Sequence, residues 1–131
     1  MKGYIENIEQ ATLENENFRK VVYTAKNSQV VLMSIAPGEE IGEEVHHVDQ
    51  FLRFEVGSGK IVLDGVESKV EDGFAVVVPA GAKHNVINTG DEPLKLYTIY
   101  SPPEHKDGEV HKTKKEAETK EVHFDGVTTE D

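Results

Sequence analysis

Turn chemistry recurs at short intervals between residues 18 and 101. Its members are Pro37-Gly38, Gly57-Ser58-Gly59, Asp64-Gly65, Asp72-Gly73, Pro79-Ala80-Gly81 and Asn88-Thr89-Gly90-Asp91. Between these breaks lie short runs of β-formers, at 18–24, 29–35, 49–56, 60–63, 66–70, 74–78, 84–87 and 94–100. Asp64-Gly65 joins two such runs directly, the signature of a two-residue hairpin. Many short strands at this spacing predict an all-β fold, an antiparallel barrel or sandwich. Ala75-Val76-Val77-Val78 is apolar on both faces, which predicts cover from a second layer or a second subunit.

The flanks read differently. Residues 1–17 are polar, with Ile5, Ile8 and Leu13 spaced as a weak amphipathic helix or arm. After Ser101-Pro102-Pro103 the strand pattern stops. Thr113-Lys114-Lys115-Glu116 matches a capping box and predicts a helix over 114–122. With 131 residues the chain is expected to form a single domain: arm 1–17, barrel 18–101, and a C-terminal loop and helix over 102–131.

Composition narrows the chemistry. Fourteen Lys+Arg stand against 25 Asp+Glu, a net charge of −11. A nucleic-acid or anionic membrane partner is disfavoured, since either needs a basic surface. Arg19 and Arg53 are the only arginines, so no multi-arginine phosphate clamp is available. Cysteine is absent, which removes disulfides, thiolate metal sites and thiol catalysis. The N-terminal stretch has no apolar signal core, and a cytoplasmic location is expected.

The sharpest pattern is Gly73, Pro79, Gly81, His84 and Asn88, spaced Gly-x5-Pro-x-Gly-x2-His-x3-Asn. It resembles, position for position, the second conserved motif of the cupin superfamily. Upstream, Gly38, Glu44, His46, Gln50 and Gly57 keep every spacing of that superfamily's first motif. Glu44 stands where the first histidine falls, and Gln50 where the glutamate falls. The chain thus resembles small single-domain cupins of the Glu-x-His-x3-Gln type, often described as isomerase-like. The resemblance implies a jelly-roll barrel with a short N-terminal arm and a C-terminal helix. It also implies a homodimer.

The residue types support a metal. Glu44, His46 and Gln50 share one parity, so an unbroken strand points them to one face. The resemblance brings His84 beside them as the fourth ligand. Imidazole nitrogen with carboxylate and amide oxygen suits a divalent Zn, Mn, Fe or Ni ion. His47 and Asp49 alternate away. Phe54 continues the parity of Gln50 and is expected to wall the pocket. Tyr97 and Tyr100 lie on opposite faces of the last barrel strand, and one of them can reach the pocket. His105 lies in the loop after the prolines, where a lid would bring it to substrate. The expected activity is that of a small metalloenzyme acting on a sugar or other small polar metabolite, its donor set resembling that of zinc-dependent phosphomannose isomerases. An Fe(II) dioxygenase and a non-enzymatic binding cupin are the alternatives.

Overall fold

The structure is a computed structural model and describes residues 3–131; Met1 and Lys2 of the expected arm lie outside the described residues. Helix α1 spans Ile8–Glu14, and the Asn7 side chain caps it by accepting the Gln10 N–H at 3.0 Å. The strands are β1 (Arg19–Thr24), β2 (Gln29–Ile35), β3 (Glu44–Val45), β4 (Asp49–Val56), β5 (Ser58–Leu63), β6 (Val66–Glu71), β7 (Ala75–Val78), β8 (Lys83–Asn88), β9 (Leu94–Ser101) and β10 (Val110–His111). Helix α2 covers Lys114–Lys120. Its cap is Thr113, whose hydroxyl accepts the Glu116 N–H at 3.1 Å.

The strands form two antiparallel sheets, ordered β10-β1-β2-β9-β4-β7 and β3-β8-β5-β6. Their inner faces enclose the core, as expected for a jelly roll. Alternation decides what goes inside. On β4, Gln50, Leu52 and Phe54 are buried; on β9, Leu94, Leu96, Thr98 and Tyr100 are buried. Register then stacks these residues into rows across the larger sheet. One row is Met33, Leu96 and Phe54, the next Val31, Thr98 and Leu52, the next Gln29, Tyr100 and Gln50. Apolar packing gives way to polar groups from one row to the next. Truncating fully buried Leu52 to alanine would cost about 2–5 kcal/mol.

The turns behave as their sequence dictates. Asp64 and Gly65 both take positive φ, 48° and 83°, the conformation a type I′ hairpin needs. Gly57 has φ 92°, and a Cβ there would meet the Pro93 carbonyl oxygen at 2.7 Å. Glycine is required on both counts.

Several expectations need correction. Ile5 lies outside α1 and is 95% exposed, because the Asn7 cap starts the helix at Ile8. Thr12, not Leu13, is the residue that α1 buries. The expected C-terminal helix ends at Lys120 rather than at 122. Strands β3 and β10 are two residues long, too short for a periodicity to mark. Among the described residues no second layer covers the outer face of β7, where Ala75 and Val77 are exposed, Val77 by 62%; the second-subunit alternative is untouched by this.

Candidate metal centre

The two sequence motifs meet at one end of the barrel. On β3, Glu44 pairs in register with His84 of β8. The Pro79-Ala80-Gly81 turn clasps the segment that follows. Gly81 N–H donates to the His46 carbonyl at 2.8 Å, and Ala80 N–H to Asp49 Oδ1 at 2.9 Å. Asp49 is therefore a turn clamp. Asn88, the last motif residue, ties down its own strand end: its side-chain amide donates to the carbonyls of Ile35 and Glu92.

Glu44, His46 and Gln50 do not share one strand. Glu44 belongs to the smaller sheet, His46 to the crossing, and Gln50 to β4 of the larger sheet. Convergence comes from the switch between sheets, not from alternation along an unbroken strand. Glu44, His46 and His84 each offer one ligand atom, all within 4.8 Å of one another. Gln50 stands in the row of Tyr100, whose ring meets His46 edge-on at 5.7 Å between centroids.

The unpartnered atoms show where these side chains aim. His84 Nδ1 lies 3.2 Å from the Ala82 carbonyl. A carbonyl only accepts, so Nδ1 carries the proton and Nε2 presents its lone pair. His84 Nε2 is buried with no hydrogen-bond partner. His46 repeats the pattern: Nδ1 sits 3.0 Å from Glu104 Oε1, while Nε2 is buried and lacks a hydrogen bond. Its 3.6 Å separation from Glu44 Oε1 exceeds hydrogen-bond length. Gln50 Nε2 donates to Thr98 Oγ1 at 3.0 Å, leaving Oε1 buried and unpartnered. Buried polar atoms are normally satisfied. Two imidazole Nε2 atoms without hydrogen bonds, clustered with the Glu44 carboxylate, fit a divalent metal ion that displaces the proton Glu44 and Glu104 favour on His46.

Charge reinforces the arrangement. Burial lowers the His46 pKa, but Glu104 and Glu44 outweigh it and raise it to about 9. Burial likewise works to raise Glu104, and the hydrogen bond and charge of His46 prevail and hold it low. Burial raises the Tyr100 hydroxyl far above its usual range, so the phenol is neutral. His105 is wholly buried, with its ring 5.0 Å from that of Tyr100. Burial first, and then the charge of Arg19 and neighbouring histidines, pushes its pKa down to about 2.

Residues 104 and 105 are held by Gln29. Its Nε2 donates to the His105 carbonyl at 2.7 Å, and its Oε1 accepts the N–H groups of Glu104 and His105. His105 is thus a fixed part of the interior wall instead of a residue on an open lid. Of the tyrosines, Tyr100 faces inward. Tyr97 lies on the outer face against Phe51, 6.4 Å between centroids, and so does not reach the interior. Phe54 is fully buried in the apolar core, four positions along β4 from Gln50. His47 is exposed, as alternation predicts.

Residues 31–100 match the family model described as Cupin domain. The chain belongs to the cupin family. This cupin is 50% identical over 123 residues to the uncharacterized protein YrkC of Bacillus subtilis, covering 88% of this chain and 66% of YrkC. It is 41% identical over 113 residues to the uncharacterized protein L612 of Acanthamoeba polyphaga mimivirus, covering 82% of this chain and 70% of L612. Among solved structures, BH2720 from Bacillus halodurans superposes with a TM-score of 0.89 at 45% identity, covering 91% of this chain and 96% of that one. Among the described residues, no helix is long and apolar enough to cross a membrane.

Sequence reading missed Glu104, Gln29 and Arg19. Nothing near Glu104 marks it, since its partner His46 is remote in sequence. Gln29 and Arg19 did carry a signal: each is a polar residue on the parity of buried apolar neighbours, Val31 and Val21.

Proposed function

We propose that this cupin binds a divalent metal ion through Glu44, His46, Gln50 and His84. We propose further that it acts as a small metalloenzyme on a sugar or other small polar metabolite, in the manner of an isomerase. The observation that carries the reading is the cluster of His46 Nε2 and His84 Nε2, buried and without hydrogen bonds, within 4.8 Å of each other and of a Glu44 oxygen, with Gln50 Oε1 likewise buried and unpartnered. When bound, a Zn, Mn, Fe or Ni ion supplies Lewis acidity, polarising a substrate oxygen or acidifying water. The chain's own residues prepare the site for it. Glu104 and the Ala82 carbonyl hold the Nδ1 protons of the two histidines, which turns each Nε2 toward the site. Thr98 fixes the Gln50 amide. Tyr100 presents a neutral phenol, and the Leu52 and Phe54 rows seal the interior below it.

Metal content by mass spectrometry on untagged protein tests this reading. Near-stoichiometric metal in the wild type, lost in Glu44→Ala and His84→Ala, supports it. A wild type that stays empty after loading with each of the four ions overturns it. A second reading rests on the two-histidine, one-carboxylate composition of the Glu44, His46 and His84 cluster, a donor set suited to non-haem iron and oxygen chemistry. Native iron together with oxygen uptake would favour it over isomerisation. For the assembly, we propose a cytoplasmic homodimer joined at β7, through exposed Val77 and through Phe74 just before the strand. Light scattering that returns the 14.6 kDa chain mass would remove the dimer.

A further inference from the structure

One member of the proposed donor set carries no charge. Gln50 begins the buried face of β4, and register sets it between Val78 of β7 and Tyr100 of β9. Val78 leads into the Pro79-Ala80-Gly81 turn, which clasps the His46 carbonyl and the Asp49 carboxylate. Tyr100 brings its ring to that of His46, 5.7 Å between centroids. Both register neighbours of Gln50 thus reach His46. The Gln50 amide is also oriented: Nε2 donates to Thr98 Oγ1 at 3.0 Å, and Thr98 is fully buried. The other end, Oε1, is buried with no hydrogen bond. An amide oxygen left open in this way is costly unless something meets it.

A glutamate at this position would have nearly the same shape. The Thr98 hydroxyl would turn to donate to it, since a hydroxyl can do either. The difference is charge. Glu44 already brings one carboxylate to His46 and His84. Glu104 stands behind His46, where its Oε1 is engaged by Nδ1 at 3.0 Å. Among the described residues, neither carboxylate pairs with a lysine or an arginine. Glu44 alone leaves a divalent ion with positive charge to spare; a second ligating carboxylate would cancel it. In a water-poor interior that remaining charge acts strongly on an incoming anion.

We infer that Gln50 sets the charge of the centre: by offering a neutral oxygen, it leaves a bound ion receptive to an anionic oxygen of the substrate, a carboxylate or an ionised enediol. The inference rests on the metal reading above, and it narrows the small polar metabolites to those that can offer such an oxygen.

Cobalt-loaded protein tests it, because its visible absorption reports what reaches the ion. Azide is the anionic probe and imidazole the neutral one. Both are titrated at one pH into wild type, Gln50→Glu and Glu44→Gln, each at saturating cobalt, with loading checked by mass spectrometry. The two substitutions are near-isosteric and move the charge in opposite directions. Azide affinity should fall at least about tenfold in Gln50→Glu and rise at least about tenfold in Glu44→Gln, with imidazole affinity within about threefold throughout. If Gln50→Glu does not fold, Glu44→Gln still tests the charge, and Thr98→Val tests the amide. Releasing the amide should lower cobalt affinity; equal affinity would remove Gln50 from the centre. Azide affinity that ignores the series overturns the inference, as do parallel changes in azide and imidazole, which mark a steric effect. The two readings fail separately. A wild type that loads no cobalt removes the metal centre and this inference with it; a loaded wild type without the charge dependence removes the inference alone.

Discussion

His46 and His105 flank the same tyrosine ring and differ in charge: without metal His46 holds its proton, and His105 is neutral. His46 sits on the strand-built side, against Glu104 at 3.0 Å and Glu44 at 3.6 Å, and is driven up to about 9. His105 sits on the loop-built side. Its neighbouring carboxylate, Glu121, is 3.7 Å away at Oε1, and burial with nearby positive charge drives it down to about 2. Both rings are removed from water. The difference lies in the charges each ring faces across the interior. Carboxylates outweigh desolvation on one side, and cations add to it on the other. One side of the Tyr100 ring therefore meets an imidazole whose charge carboxylates favour, and the other an imidazole kept neutral by burial and nearby cations.

The largest expected effect breaks the first half. His84→Ala should reduce bound metal from near-stoichiometric to background, read by mass spectrometry. Retention of metal would mean that the open nitrogens serve something else. Glu104→Gln is milder, because it removes the charge behind His46 and leaves the ligand in place. We expect metal affinity to fall by roughly 10- to 100-fold, measured by competition with a chromophoric chelator. Equal affinity would show that Glu104 is only a loop contact.

The second half is sharpened by acid. His105 is neutral in the folded protein and titrates near its ordinary value when unfolded, so the unfolded chain binds the extra proton. Its contribution is present above about pH 6.5 and is lost as pH falls below it, by up to about 1.4 kcal/mol per pH unit. Urea unfolding of metal-free wild type between pH 4 and 7 should show this slope, and His105→Gln should flatten it. An identical slope in the variant would place the acid sensitivity elsewhere. The smallest effect is the control: Tyr97→Phe, on the outer face, should leave metal content unchanged, whereas any loss would join that face to the site.

Much of the barrel was legible. The strands at Gln29–Ile35 and Asp49–Val56 begin and end where the β-formers do, because turn residues bound them on both sides. The motif spacing placed Glu44, His46 and His84 together because the Pro79-Ala80-Gly81 turn is itself a clamp, its Gly81 N–H donating to the His46 carbonyl. Legibility stopped where a residue's role depends on a partner distant in sequence. Glu104 matters only because the segment after β9 returns across the barrel mouth, and no local pattern announces that return. Tyr97 and Tyr100 were indistinguishable until the register of β9 showed which side was inward.

The Gln29 clasp has a consequence for how the site meets its surroundings. A single uncharged amide receives two N–H groups from the 104–105 segment and returns one of its own. Ionic strength does not screen such contacts, and ordinary changes of acidity do not titrate them. The carboxylate behind His46 is thus aimed by a neutral hinge pin. The charges around the centre can rise, fall or be matched by a visiting ion while the backbone that carries them stays where it is.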